Sequence, residues 1–329
     1  MTKLRWGVLS TAHIGLAKVI PGMQRAEHCD VVAIASRDAA KADDAARRLG
    51  IPRSFGSYEA LLADPDIDAV YIPLPNHMHA EWTLRAAAAG KHVLCEKPLA
   101  MSEAQAREMV EGCARAGVTL MEAFMYRLHP QWVRAREWVA QGRLGDLLAV
   151  QSFFSYRNLD PQNIRNVPAY GGGALMDIGC YAINVSRMLF GAEPVRVEGA
   201  VYRDPRFGTD VLTSATLDFG GRHATFTCST QLEPDQRVHI VGTQGRLEVE
   251  IPFNIPPDRP TRLRFTAGGD PPVDPHTEVI EIPAADQYGI QGDRFSRAVL
   301  EGTEVPVPAQ DSIANMHVID AILATETRG

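Results

Sequence analysis

Cysteine is scarce in this sequence, and what there is forms no pattern. Cys29, Cys95, Cys113, Cys180 and Cys228 are odd in number, scattered, and never spaced as C-x-x-C. That excludes a disulfide framework and points to reduced, mostly buried thiols. Positive charge is also in deficit: 33 Lys and Arg stand against 40 Asp and Glu, a formal net charge of -7. A sequence-independent grip on nucleic acid needs a basic face, so that class is excluded. No apolar run is long enough to cross a bilayer, and Met1-Thr2-Lys3-Leu4-Arg5-Trp6 enters a strand without a signal-peptide h-region. The expectation is a cytoplasmic protein with no nucleic-acid or membrane partner. Internal repeats and low-complexity tracts are absent too.

What is present is an ordinary globular balance, 45% hydrophobic and 22% charged, in 329 residues, enough for two domains. The first third alternates short β-branched runs with Ala-rich helical stretches. The runs are Gly7 to Leu9, Val31 to Ala35, Ala69 to Ile72, His92 to Cys95 and Val118 to Met121; the stretches are Ile14 to Arg25, Ala39 to Leu49, His79 to Ala89 and Ser102 to Ala116. This is the signature of a doubly wound parallel α/β sheet. The texture changes after about Glu122, which divides the chain into domains 1–122 and 123–329. The second domain reads as α+β: a helix from Pro130 to Gln141, another from Ala182 to Phe190, and longer alternating strands with a hairpin turn at Gly220-Gly221. A Pro-rich stretch from Pro252 to Pro275 predicts a surface excursion, and helices Gln287 to Leu300 and Gln310 to Ala324 close the chain.

The first strand leads into Ser10-Thr11-Ala12-His13-Ile14-Gly15, where a Rossmann G-x-G-x-x-G turn belongs. Only its third glycine is intact, but Ser10 and Ala12 are small enough for a tight turn against a pyrophosphate. About 20 residues on, where an acid takes the ribose 2′-hydroxyl of NAD, stand Ser36 and Arg37, with Lys41 one turn further. A cation without an acid predicts NADP(H) over NAD(H). Pro73, Asn76 and His79 follow the strand Ala69 to Ile72 and are expected to line the cofactor cleft. His77 and His79 are spaced i, i+2 and make no metal site, and no metal is expected.

The strand His92 to Cys95 runs into Glu96-Lys97-Pro98, at the end where ligands bind in open α/β sheets. Further on, Gly171-Gly172-Gly173 precedes Asp177 and Tyr181, which share a face if helical. A tyrosine is too weakly acidic for an efficient base unless a cation such as Lys⁺ favours its phenolate. Lys97, Asp177 and Tyr181 are therefore the candidate catalytic set. Arg127 reads equally as a cofactor contact or a structural ion-pair partner. Arg165 and Tyr288 are candidates for the substrate side.

Together these segments resemble the glucose–fructose oxidoreductase / inositol dehydrogenase (Gfo/Idh/MocA) family. The markers are the Ser10–Gly15 turn, Glu96-Lys97-Pro98, and Gly172-Gly173 followed by Asp177 and Tyr181. Glu122-Ala123-Phe124-Met125-Tyr126-Arg127-Leu128-His129-Pro130 is similar to a stretch in its dimeric dihydrodiol dehydrogenase and D-xylose dehydrogenase branch. The resemblance implies a Rossmann domain followed by a domain with a large, open, mostly antiparallel sheet, which forms the interface of a homodimer or homotetramer. It implies that Lys97 lies at the nicotinamide and substrate. It further implies hydride transfer between an aldose or cyclic diol and NADP, with Tyr181 taking the proton of the C1 hydroxyl, Asp177 orienting substrate hydroxyls, and a lactone as product. Many members carry histidine where Tyr181 stands, which argues against inositol as substrate. The alternatives are a sugar oxidoreductase that retains its cofactor and a non-catalytic NADP(H)-binding regulator. The joint presence of Lys97, Asp177 and Tyr181 argues for chemistry.

Overall fold

A computed structural model describes residues 2–269 and 276–328. The chain forms two compact units, Met1–Met125 with Asp286–Ile313, and Tyr126–Ala285 with Ala314–Gly329.

The first unit holds a six-stranded parallel sheet. Its strands are β1 (Leu4–Leu9), β2 (Cys29–Ala35), β3 (Arg53–Phe55), β4 (Ala69–Ile72), β5 (His92–Cys95) and β6 (Leu120–Glu122), in the order β3-β2-β1-β4-β5-β6. This is the doubly wound order whose switch point lies between β1 and β4. Every residue of β4 is buried, as expected for a strand covered on both faces. The connecting helices are α1 (Ile20–Gln24), α2 (Ala39–Leu49), α3 (Tyr58–Leu62), α4 (His79–Ala88) and α5 (Glu103–Arg115). Asp38 caps α2 by accepting from Ala40 N and Lys41 N, and Ser102 caps α5 through Gln105 N. The helix expected over Ile14 to Arg25 is instead a π-turn, Gly15–Val19, followed by α1. Pro21 has no N–H to continue the regular ladder, and the Ile20 N–H reaches back to Gly15 O.

The expected single cut near residue 122 is corrected by the return of the chain. The helix Gln287–Glu301 belongs to the first unit. Phe295 packs on Trp6 (ring centroids 5.1 Å apart), Trp6 Nε1 donates to Ser296 Oγ at 2.9 Å, and Arg25 pairs with Asp286 at 2.6 Å.

The second unit contains α6 (Pro130–Ala140), β7 (Leu147–Arg157), α7 (Cys180–Phe190), β8 (Arg196–Arg203), β9 (Asp210–Asp218), β10 (His223–Ser229), β11 (Gln231–Gly242), β12 (Gly245–Val249), β13 (Thr261–Ala267) and β14 (Thr277–Ile282). The eight strands run β14-β13-β12-β11-β7-β10-β9-β8, antiparallel except at β7 and β10. Gly220 and Gly221, both at positive φ, make the β9–β10 turn as read from the sequence. One face of the sheet is core, with Val150, Phe154, Leu217, Phe226, Val238 and Ile240 buried. The other face carries Phe153, Tyr202, Leu212, Val241 and Val279 among polar groups; Tyr202 is 59% exposed and pairs with Leu212 across β8 and β9.

The Pro-rich stretch is not a plain surface excursion. Phe253 and Ile255 are buried, Trp132 Nε1 donates to Pro252 O at 2.6 Å, and β13 runs through its middle. Pro271, Pro272 and Pro275 lie outside the described residues. The helix expected from Ala182 begins earlier, as a π-turn over Leu175–Gly179 that feeds α7.

Candidate active site

In the first unit the candidate residues gather at the carboxyl ends of β1, β2, β4 and β5. Ser10 occupies a glycine place and adopts a glycine-like φ of 132°. Its hydroxyl accepts from Ala12 N at 2.9 Å and donates to Pro73 O at 3.3 Å, so side-chain bonds hold the turn that a glycine would make by freedom alone. Thr11, Ala12 and Ile14 are half-buried around it, and His13 is exposed.

At the end of β2, the Ser36 hydroxyl accepts from Asp38 N at 3.2 Å. Arg37 and Lys41 are exposed. Asp38, the nearest carboxylate in sequence, is spent on capping α2 and lies 4.0 Å from Lys41 Nζ. No acid stands at the Ser36 position to receive a ribose hydroxyl.

Glu96, Lys97 and Pro98 form a turn past β5 held from several sides. Tyr71 Oη donates to Glu96 Oε1 at 2.6 Å, Lys97 N to Glu96 Oε2 at 3.4 Å, and Leu99 N to Glu122 Oε1 at 2.8 Å. Burial, with the Glu96 carboxylate beside it, pushes the Tyr71 phenol well above its ordinary value. His79 corrects an expectation. It is fully buried, with Nδ1 2.9 Å from Pro98 O and Nε2 2.8 Å from Leu74 O, and burial lowers its proton affinity. It braces backbone and has no surface to give a cofactor. Asn76 and Lys97 are half-buried. Tyr288 is nearly buried, its phenol pushed up by burial and then by Glu96. It stands in the first turn of the helix Gln287–Glu301, in the first unit.

In the second unit, Asp177 lies in the π-turn and Tyr181 in the first turn of α7, a geometry common at functional sites. Asp177 Oδ2 accepts from Tyr156 Oη at 2.5 Å and from Arg165 Nε at 2.8 Å. Burial and then the neighbouring carboxylate push the Tyr156 phenol far above its usual range, while Asp177 raises the Arg165 guanidinium. Tyr181 is buried among Tyr126, Phe154 and Phe253, with ring centroids 5.1–5.8 Å away. Arg127 is half-buried in the short turn before α6.

The triple glycine serves the protein's own backbone. A Cβ at Gly172 would stand 2.5 Å from Arg165 O, and one at Gly173 would collide with the Asp210 carboxylate. Asp210 Oδ2 accepts from Leu175 N at 2.7 Å and so anchors the turn that carries Asp177. Sequence reasoning missed Tyr156, Asp210 and Glu122. Tyr156 sits on an alternating strand and Asp210 37 positions after Gly173, where no local spacing points to them. Glu122 lay inside a segment already singled out. Among the described residues no group of three or more His, Cys, Asp or Glu is placed to hold a metal, and no helix is long and apolar enough to cross a membrane.

Comparison with known proteins gives two family matches in chain order. The oxidoreductase family with an NAD-binding Rossmann fold matches residues 4–124, and the GFO/IDH/MocA C-terminal domain matches residues 132–248. The chain is 42% identical to D-xylose 1-dehydrogenase (NADP(+)) 2 of Haloferax volcanii, over 99% of this chain and 98% of that protein. It is 36% identical to trans-1,2-dihydrobenzene-1,2-diol dehydrogenase of Mus musculus, over 75% and 74%. A 3-ketoreductase from Actinomadura kijaniata, solved in complex with NADP and TDP-benzene, superposes with a TM-score of 0.91 at 30% identity, covering 98% of both chains.

Proposed function

This chain belongs to the GFO/IDH/MocA oxidoreductase family, and from that premise we propose that it oxidises the C1 hydroxyl of an aldose of the D-xylose kind to a lactone, with NADP⁺ as the acceptor. The observation that carries this reading is the pairing of Asp177 and Tyr181 on successive helical turns, with Tyr156 and Arg165 both bonded to Asp177. The similarity to an NADP-dependent D-xylose 1-dehydrogenase along nearly the whole chain supports it.

The residues of the first unit fit the dinucleotide. The Ser10–Ile14 turn at the start of the π-turn would take the pyrophosphate, and Ser36, Arg37 and Lys41 the 2′-phosphate. Pro73, Asn76 and Glu96 line the same end of the sheet, and Lys97 supplies its cation. NADP⁺, when bound, supplies the hydride acceptor. Tyr181 receives the proton of the reacting hydroxyl as the C1 hydrogen departs. To act as base, Tyr181 needs a neighbouring cation that favours its phenolate. Asp177, held by two donors on one oxygen, orients substrate hydroxyls.

The open face of the eight-stranded sheet, with Tyr202, Leu212, Val241 and Val279 exposed, suits a second copy of the chain in a homodimer or homotetramer. Five buried cysteines without a disulfide accord with a reducing cytoplasm. The deciding experiment is reduction of NADP⁺ and NAD⁺ against D-xylose, D-glucose, other aldoses and trans-dihydrodiols. Turnover of an aldose with NADP⁺ is expected. Turnover of dihydrodiols alone, or of no substrate by protein that binds NADPH, defeats the reading.

A further inference from the structure

Among the arginines of the second unit that meet carboxylates, Arg187, Arg206 and Arg165 do so in two different ways. Arg187 engages Glu193 through Nε and Nη2 at 2.6 and 2.7 Å. Arg206 grips Asp204 through Nε and Nη2, the latter at 2.6 Å. Both are forked pairs that consume the guanidinium edge. Arg165 gives Asp177 only its Nε, and its two Nη groups make no hydrogen bond among the described residues. Its side chain is 40% exposed over a carboxylate that is 12% exposed.

The placement of Arg165 is built in. Its N–H donates to Asn163 Oδ1 at 3.1 Å, and its carbonyl accepts from Gly173 N at 2.9 Å. Gly172 is bare of a Cβ where one would strike that carbonyl. Tyr156 holds Asp177 from the other side. A guanidinium fixed by its backbone and its Nε, with Nη donors to spare, is pre-organised for a ligand rather than for the fold.

The charge of the pair narrows that ligand. An unpaired arginine suits phosphate or carboxylate. Arg165 is paired with Asp177, so it offers its Nη donors beside a carboxylate, which matches vicinal hydroxyls. An anionic group at the Nη donors would face the Asp177 carboxylate.

We propose that Arg165 is the substrate-recognition residue of the second unit, that its Nη groups bind hydroxyls of an uncharged sugar, and that Asp177 as its counter-charge selects against phosphorylated sugars. This rests on the sugar dehydrogenase reading above. The test titrates NADPH-loaded protein with D-xylose, D-glucose and D-glucose 6-phosphate, following NADPH fluorescence, with steady-state KM values in parallel, for wild type, Arg165→Lys and Arg165→Met. Wild type is expected to bind D-glucose more tightly than its 6-phosphate. Arg165→Met should weaken sugar binding about tenfold, the scale of one charge-assisted hydrogen bond, with NADPH affinity unchanged and Arg165→Lys between the two. Unchanged sugar affinity in Arg165→Met, tighter binding of the 6-phosphate by wild type, or no binding of either neutral sugar overturns the proposal. Sugar binding without turnover in wild type overturns the dehydrogenase reading alone. If both variants lose NADPH binding through misfolding, the wild-type preference between D-glucose and its 6-phosphate decides.

Discussion

The Tyr156 hydroxyl donates to Asp177 Oδ2 at 2.5 Å, across 21 positions of sequence, and shares that oxygen with Arg165 Nε. Asp177 therefore has a set orientation before any ligand arrives. Tyr156→Phe removes one of the two donors while keeping the ring. A loss of about tenfold in kcat/KM for the sugar is expected, since hydrogen bonds to charged groups contribute about 1.5–3 kcal/mol. NADPH affinity should stay at the wild-type value. Wild-type kcat/KM in this variant would remove Tyr156 from the positioning of Asp177.

Tyr181→Phe keeps the aromatic cluster with Phe154 and Phe253 intact but deletes the proton acceptor. A loss of about 10²-fold or more in kcat is expected, the usual scale of general base catalysis. The protein should bind NADPH and melt as wild type does. Near-normal kcat would sink the assignment.

Arg37→Asp places an acid at the end of β2, where none now receives a ribose hydroxyl. The ratio of NADP⁺ to NAD⁺ in kcat/KM is expected to fall by about tenfold or more, as a charge-assisted contact becomes a repulsion. An unchanged ratio would mean that Arg37 is only a solvated charge.

Gly173→Ala meets two obstacles: a φ of 127° that L residues rarely adopt, and the Asp210 carboxylate in the place of the new methyl. A loss of about 3 kcal/mol in unfolding free energy is expected, combining backbone strain with overpacking. Sugar affinity should fall as well, because Asp210 anchors the turn that carries Asp177. A variant as stable as wild type in urea would show that the turn relaxes freely.

His129 caps α6 by accepting from Gln131 N with its Nδ1, and burial lowers its pKa to about 4. The unfolded chain protonates this group near 6.5, so it binds more protons than the folded chain below that pH. Its contribution to stability is complete above pH 6.5 and is lost as pH falls toward 4. The loss amounts to about 2 kcal/mol between pH 7.5 and 5, from a shift of this size. His129→Asn keeps a cap acceptor and has no titration. Urea unfolding at the two pH values should show a smaller difference for the variant than for wild type; equal differences would count against the linkage.

Much of this molecule is a consequence of local chemistry. The runs Ala69–Ile72 and Ala39–Leu49, the caps Asp38 and Ser102, and the Gly220-Gly221 turn stand where side-chain period and turn residues put them. So do the cations at the end of β2 and the turn at Lys97, because motif position in a doubly wound sheet follows from strand order. Other features were settled only by partners distant in sequence. The three residues of β3 are too few to display a period, and β13 became a strand by pairing with β12. Helix Gln287–Glu301 is amphipathic wherever it packs, and Trp6 is what claims Phe295. Asp177, Arg165 and Tyr156 come from a π-turn, a loop and a strand. The glycines that the sequence offers to a ligand are filled by Arg165 O and the Asp210 carboxylate. Periodicity and turn chemistry act over a few residues and are written in the sequence. The choice of which buried donor meets which carboxylate depends on close packing across the whole unit, and only the tertiary structure makes it.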